Sequence, residues 1–428
     1  MHVAWYSHAQ MSATPNLSRL DLTPPEPDLQ PKEMIARAEG MRHVLRDRQT
    51  HCEQLGRMPD ETNEDFIRAG FYRIVQPRCF GGYEFDLTTF VRVMTEVARG
   101  CVESGWTLAL TAGHPAVFLS GFPEQGQHEV YGETGDCRSP GVAIPGGMAV
   151  PVDGGYRVKG VWDYCSGADI GTHFLGGMMA LFPDSNAPRA YVYVLVDRKD
   201  YQIIDNWNVF GMQGTGSRRV IVEDVFVPSH RVLEMGVMGE GQIRPIRNQP
   251  GRALHPNPLY RGQFLPFLMF EVTAVAIGAA RGALDLYEEM IRGKKLRMPP
   301  FTPHLEMPDA QRRFGDVQVL VDTGENSLLA MAAQYSEACR REQSEGVEFS
   351  EEAARRMQRA QQECIELAWR AVDLMFRSGG TSSAAKSAML GRYFRNLAVL
   401  RTHLLLQPDQ TSVNAARLHF GLPPLTPY

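Results

Sequence analysis

Between residues 31 and 135 apolar side chains recur at helical spacing. Phe90, Val93, Met94 and Val97 fall at i, i+3, i+4 and i+7 and make one stripe, with Asp86 placed to cap the helix that carries them. Gly81-Gly82 and the Gly121-Phe122-Pro123 break separate such helices, so this stretch reads as an all-α unit. From 136 to 240 the period shortens. Runs rich in Val, Ile and Tyr at Gly155–Gly160, Ala190–Val196 and Arg219–Val227 predict strands, Asp153-Gly154 marks a hairpin-type turn, and the expected unit is a β-barrel or sandwich. A Pro- and Arg-rich connector, 241–260, leads into 261–428, where amphipathic runs near Phe264–Arg292, Pro308–Arg341, Ser350–Arg377 and Ser383–Leu406 predict a four-helix bundle. Residues 1–30, ending in Thr23-Pro-Pro-Glu-Pro27, read as a loose arm. The fold class is α+β in the order helices, sheet, helices.

Composition narrows the function. The formal charge of -5 provides no positive field to hold a nucleic-acid backbone. The most apolar stretch, Phe264–Leu286, carries Glu271, Arg281 and Asp285, and reads as a buried helix rather than a membrane span. No basic-then-apolar leader opens the chain, so a cytoplasmic protein is expected. The cysteines, at 52, 79, 101, 137, 165, 339 and 364, form no Cys-x-x-Cys pair and predict reduced thiols, with neither a metal site nor a disulfide frame. No Gly-x-Gly-x-x-Gly opens a helix after a strand, so the chain offers no Rossmann-type dinucleotide site.

Three segments carry a resemblance. Lys159-Gly-Val-Trp-Asp-Tyr-Cys-Ser-Gly167, with Asn206-Trp-Asn-Val-Phe-Gly-Met-Gln-Gly-Thr-Gly-Ser217 and Val220–Pro228 after it, resembles the middle domain of the acyl-CoA dehydrogenase superfamily. Within it the chain is similar to the two-component, reduced-flavin monooxygenase branch, which contains phenol hydroxylases. The resemblance extends over nearly all the chain past Pro31. It implies an acyl-CoA dehydrogenase-like fold and a reduced flavin, FMN favoured over FAD because no adenosine site can be named. It also implies a separate NAD(P)H:flavin reductase, dioxygen, an aromatic substrate hydroxylated through a flavin C4a-hydroperoxide, and a homotetramer.

The same resemblance distributes roles. Ser166 is placed to hydrogen-bond flavin N5, with Trp162 beside the isoalloxazine, Gly167, Thr215, Gly216 and Ser217 around the ring, and Gly379, Gly380, Thr381 and Arg392 toward the phosphate. His114 matches the position that holds a substrate hydroxyl, with Trp106 and Phe118 as further substrate contacts, and His403 matches a late helical histidine near the reactive edge of the flavin. Read on residue type alone, each has a plainer alternative. Ser166 caps a turn, Trp162 anchors the β core, each histidine is a satisfied core residue, Thr215–Ser217 is a tight strand connection and Gly379-Gly380 ends a helix. Imidazole nonetheless suits phenol activation, since its pKa lies near neutrality.

An absence refines the reaction. Dehydrogenases of the superfamily use a glutamate near the C-terminus, and His403-Leu-Leu-Leu-Gln-Pro-Asp-Gln410 contains none. Glu271, the remaining acidic position, is out of register for the alternative base and reads as a buried partner for an arginine. Arg395 follows Arg392, with Asn396 where the family carries Asp, and Arg244, Arg247, Arg252 and Arg261 read as a solvated linker. The expected activity is therefore aromatic monooxygenation. An acyl-CoA dehydrogenase, an amine N-oxygenase and a non-catalytic flavin scaffold are the alternatives.

Overall fold

A computed structural model describes residues 22–132, 134–181, 190–237 and 249–426. Arg244 and Arg247 lie outside the described residues, as does most of the N-terminal arm. Helices α1 (Pro31–Leu55), α2 (Asp60–Ala69), α3 (Leu87–Gly100), α4 (Val102–Val117) and α5 (Glu124–Tyr131) come first. Asp86 caps α3 as its position suggests, its carboxylate accepting from Thr89 N–H at 2.7 Å.

The strands are β1 (Gly141–Val152), β2 (Gly155–Cys165), β3 (His173–Ala180), β4 (Ala190–Asp197), β5 (Gln202–Ile204), β6 (Arg218–Pro228) and β7 (Val232–Val237). They join in one sheet ordered β5-β6-β2-β1-β3-β4-β7, antiparallel except for β1 beside β3. The expected barrel or sandwich is thus a single sheet. It curls around its own core, because Val158, Phe174, Met178, Val194 and Val222, from β2, β3, β4 and β6, pack in one cluster.

The C-terminal helices are α6 (Phe264–Gly293), α7 (Pro308–Glu345), α8 (Glu351–Ser378), α9 (Met389–Leu400) and α10 (Pro408–His419). Helix α6 is long and apolar enough to cross a membrane, yet it is enclosed by protein. Gly278 and Gly282, one turn apart, let it approach α3: a Cβ on either would stand 2.4 Å from the carbonyl oxygen of Thr95 or Arg99. Phe90 of α3, Phe267 of α6 and Val372 of α8 consequently belong to one continuous hydrophobic core, shared by the first and last helical units.

The run expected as a single helix over Ser383–Leu406 is broken. Residues 381–384 and 404–406 form 3-10 turns on either side of α9, and His403 stands in extended backbone (φ -62, ψ 142) between α9 and the second turn. The apolar spacing continues through the break, so the pattern alone does not reveal it.

Candidate active site

Helix α4 positions the site. Thr107, Thr111 and His114 share one face, and that face rests on the sheet domain. The Thr107 hydroxyl donates to the Thr215 carbonyl at 3.4 Å, and Gly167 N–H donates to the same oxygen at 3.1 Å. A Cβ at Gly167, whose φ is +75, would stand 2.8 Å from Thr107 Cγ2, so the turn after β2 needs glycine twice over. On the other side the Asn396 side chain of α9 accepts from Met212 N–H at 2.7 Å. Asn396 therefore locks the 212–217 loop to α9.

Ser166, 7 % exposed, sits in a chain of short hydrogen bonds. Trp106 Nε1–H donates to Ser166 Oγ at 2.9 Å; Ser166 and Ser217 hydroxyls are 2.7 Å apart, as are those of Ser217 and Thr215; and Thr215 Oγ1–H donates to the Met212 carbonyl at 2.9 Å. Both ends are fixed, since an indole N–H only donates and a carbonyl only accepts. Three hydroxyl hydrogens must then serve the three remaining links. Thr215 gives its hydrogen to Met212, Ser217 to Thr215, and Ser166 to Ser217, which leaves Ser166 one unused lone pair.

The two histidines adopt opposite tautomers. Nδ1 of His114 bonds the Ser139 carbonyl, an obligate acceptor, so Nδ1 carries the hydrogen. Burial pushes its pKa down to about 4, so the ring is neutral near pH 7 and Nε2 is a bare acceptor. Nδ1 of His403 instead accepts from Leu405 N–H at 3.3 Å, which puts its hydrogen on Nε2. Half-buried by area, His403 is still crowded enough for desolvation to lower its pKa to about 4. Its ring lies edge-on to Trp106, centroids 5.6 Å apart. An aromatic wall extends from His114: Phe118 is 5.0 Å away, and Tyr193 and Phe264 lie 4.9 and 5.2 Å beyond it.

Ser166, Thr215, Ser217, Trp106 and His403 are therefore brought together, with His114 about 12 Å further along α4 and Phe118 just past its end. Gly167, whose N–H bonds the Thr215 carbonyl, and Gly216, in left-handed backbone between Thr215 and Ser217, belong to the same cluster, whereas Trp162, Arg392, Gly379, Gly380 and Thr381 do not. Trp162 is a correction: its indole is 2 % exposed, donates to the Gly177 carbonyl at 2.9 Å, and packs on Phe174, 5.1 Å away, inside the β core. Gly146, Gly147 and Gly160 make room for it, since a Cβ on any of them would come within 2.8 Å of the ring. The tryptophan at the site is Trp106. Arg392 is 2 % exposed and bound to Glu53 at 2.7 Å and Thr50 at 3.2 Å, and Arg395 shares Glu53. Gly379, Gly380 and Thr381 lie beyond the far end of α9, about 18 Å along that helix from His403, beside Lys294.

Two further readings change. Glu271 has no arginine partner among the described residues: fully buried, neither carboxyl oxygen finds a hydrogen bond there, and burial raises its pKa well above the ordinary range. Oε1 stands 1.9 Å from where a Cβ of Gly113 would be, so that glycine makes its room. Arg252 is no solvated linker. At 4 % exposure it donates to the carbonyls of Ala116 (3.0 Å), Val117 (2.8 Å) and Tyr260, capping the end of α4 just past His114. Sequence reasoning missed Ser139, Glu53 and this use of Arg252; none has a local signal. A surface cleft of about 270 Å³ bounded by Glu129, Asp197, Phe226 and Arg231 holds none of the site residues, and its Glu129, Asp197 and Arg231 charges pair with one another.

Helical units before and after a curled sheet, with the site where α4, the 212–217 loop and the end of α9 meet, define an acyl-CoA dehydrogenase-like flavoprotein fold. The family model "Acyl-CoA dehydrogenase, C-terminal domain" matches residues 271–408. The oxygenase subunit HsaA of a flavin-dependent monooxygenase from Rhodococcus jostii (strain RHA1) is 31% identical over 91% of this chain and 98% of its own. The oxygenase component of the FADH2-dependent resorcinol hydroxylase of Rhizobium sp. (strain MTP-10005) is 28% identical over 92% and 96%. The crystal structure of 3-HSA hydroxylase from Rhodococcus sp. RHA1 superposes with a TM-score of 0.81 at 30% identity, covering 91% of this chain and 97% of that one. The chain belongs to the family of flavin-dependent monooxygenase oxygenase subunits.

Proposed function

We propose that this protein is the oxygenase component of a two-component system that hydroxylates a phenol or related aromatic, taking reduced flavin from a separate NAD(P)H:flavin reductase. The observation that carries this reading is the pairing of a bare imidazole acceptor at His114 of α4 with an acceptor hydroxyl at Ser166, which Trp106 of the same helix holds. The residues fit the ring end of a flavin: Ser166 presents a lone pair and His403 an Nε2–H, both beside Trp106. The phosphate-side residues do not gather at this end. Reduced flavin supplies two electrons to dioxygen, so that one oxygen atom enters the ring and the other leaves as water.

His114 Nε2 accepts the phenol O–H and draws the proton toward nitrogen, which enriches the ring carbon ortho to the oxygen. The Ser139 carbonyl holds the imidazole in that tautomer, and Arg252 caps the end of the helix that carries it. His403 Nε2–H would serve as a donor to the ring end of a bound flavin. Phe118, Tyr193 and Phe264 exclude water, which favours transfer to the ring over loss of peroxide. Both FMNH2 and FADH2 satisfy the ring contacts, and anaerobic titration with each decides between them. Val319, Val413, Phe420 and Leu425 are exposed on the C-terminal helices and tail, and with the outlying Gly379–Thr381 loop they support a homotetramer. The seven free thiols support a cytoplasmic location.

The test supplies reduced flavin, dioxygen and a panel of phenols to the parent and to His114→Ala. The expected result is catechol from the parent, and flavin oxidation with peroxide release but little catechol from the variant. Equal catechol yields from both would remove His114 from its role, and no product from any phenol would refute the assignment.

A further inference from the structure

The chain of hydroxyls behind Ser166 has only one self-consistent direction, set by Trp106 at one end and the Met212 carbonyl at the other. Its two inner members do not need to touch a flavin to matter. Thr215 is 1 % exposed and Ser217 5 %, and both spend their hydrogens inside the protein. The outward-facing capacity of Ser166 is therefore an acceptor only, and no rotation of its own hydroxyl changes that without breaking a buried link. A reduced flavin carries hydrogen on N5 and donates there. An oxidised flavin has a bare lone pair at N5, which would meet the lone pair of Ser166, a residue only 7 % exposed.

We infer that Thr215 and Ser217 are positioning residues that hold Ser166 as a hydrogen-bond acceptor, so that the site takes a flavin bearing hydrogen at N5 and rejects the oxidised form. The inference rests on the flavin-site reading given under Proposed function. It adds that selection between redox states is written in a direction of hydrogen bonding, two residues removed from the ring. The consequence suits a protein supplied by a separate reductase: oxidised flavin leaves after each cycle and the next reduced flavin enters.

The direction can be reversed without touching Ser166. In Thr215→Val the Ser217 hydroxyl loses its acceptor and turns to donate to Ser166, whose hydrogen is then released outward. Ser217→Ala frees the same hydrogen directly. Thr215→Ser keeps the chain intact. Trp106→Phe removes a donor to Ser166 but leaves Ser166 bound to donate to Ser217, so the direction survives even if affinity for both flavins falls.

The experiment measures dissociation constants of oxidised flavin, and of reduced flavin under anaerobic conditions, for the full-length parent and these variants, with circular dichroism to verify folding. The parent is expected to favour reduced flavin. Thr215→Val and Ser217→Ala are expected to lose about tenfold or more of that preference, the order set by one buried mismatched hydrogen bond, while Thr215→Ser and Trp106→Phe retain it. An unchanged preference in both Thr215→Val and Ser217→Ala overturns the inference, as does its loss in Thr215→Ser. Phenol hydroxylation is scored separately. A preference that responds as described in a protein that hydroxylates no phenol would sink the proposed function and leave this inference standing.

Discussion

Glu271→Gln isolates the energetics of a buried, unpartnered carboxyl next to the site. In the parent, burial alone holds that carboxyl well above its ordinary pKa, and no donor among the described residues compensates either oxygen. A folded-state pKa above the unfolded one means that the native state binds the proton more tightly. Stability is therefore full below the unfolded pKa and falls as pH rises from about 4.3 toward the folded value, at about 1.4 kcal/mol per pH unit for one group. The buried histidines slope the other way. His114, His255 and His403 have pKa values lowered from 6.5 to about 4, so their contribution is present above 6.5 and is lost as pH falls through that interval. Subtracting the parent from Glu271→Gln cancels the histidines. Urea-unfolding midpoints taken from about pH 5 to about pH 8 should show the variant gaining on the parent by up to about 1.4 kcal/mol per pH unit, until the folded pKa is passed. Parallel curves would refute the reasoning, because they would mean that the carboxyl finds a partner or water that keeps its pKa ordinary.

Gly113→Ala should destabilise the protein despite a gain of about 1 kcal/mol in helix propensity, because the new Cβ lands on Glu271 Oε1; pairing it with Glu271→Ala should remove the penalty, read as a double-mutant cycle. Arg252→Ala leaves three backbone carbonyls without their donor and should cost about 3 kcal/mol, measured by the same unfolding assay, with loss of catechol yield as the end of α4 loosens around His114. Since burial lowers the pKa of both site histidines to about 4, the ratio of catechol to peroxide should stay flat from about pH 5.5 to about pH 8; a histidine-like inflection near 6.5 would contradict that lowering by burial.

Local chemistry makes part of this molecule legible from its residues. The Phe90–Val97 stripe and its Asp86 cap are settled within a dozen residues, so the helix they imply is the helix observed. The placement of Ser166 beside Ser217 follows from strand pairing of β2 with β6, whose flanking motifs are specific enough to align. What is not legible depends on groups remote in sequence. Trp162 and Trp106 are equally plausible flavin neighbours by type, and only the glycines at 146, 147 and 160 decide that the first is enclosed. Arg252 looks like a linker charge until the end of α4 presents its orphan carbonyls. Leu404-Leu405-Leu406 continue an apolar helical pattern, and the break at His403 emerges only where Gln362 of α8 donates to the Leu405 carbonyl at 2.8 Å. The direction of the hydroxyl chain requires all five members to be in place at once.

The most direct measurement of the central claim is isotopic. Protein mixed with reduced flavin, a hydroxylated phenol substrate from the panel and dioxygen labelled with oxygen-18 should yield a catechol that carries one labelled atom, with the second in water, and Ser166→Ala should shift the labelled oxygen from catechol into peroxide. A product free of label, or a Ser166→Ala protein that partitions oxygen as the parent does, would contradict the account.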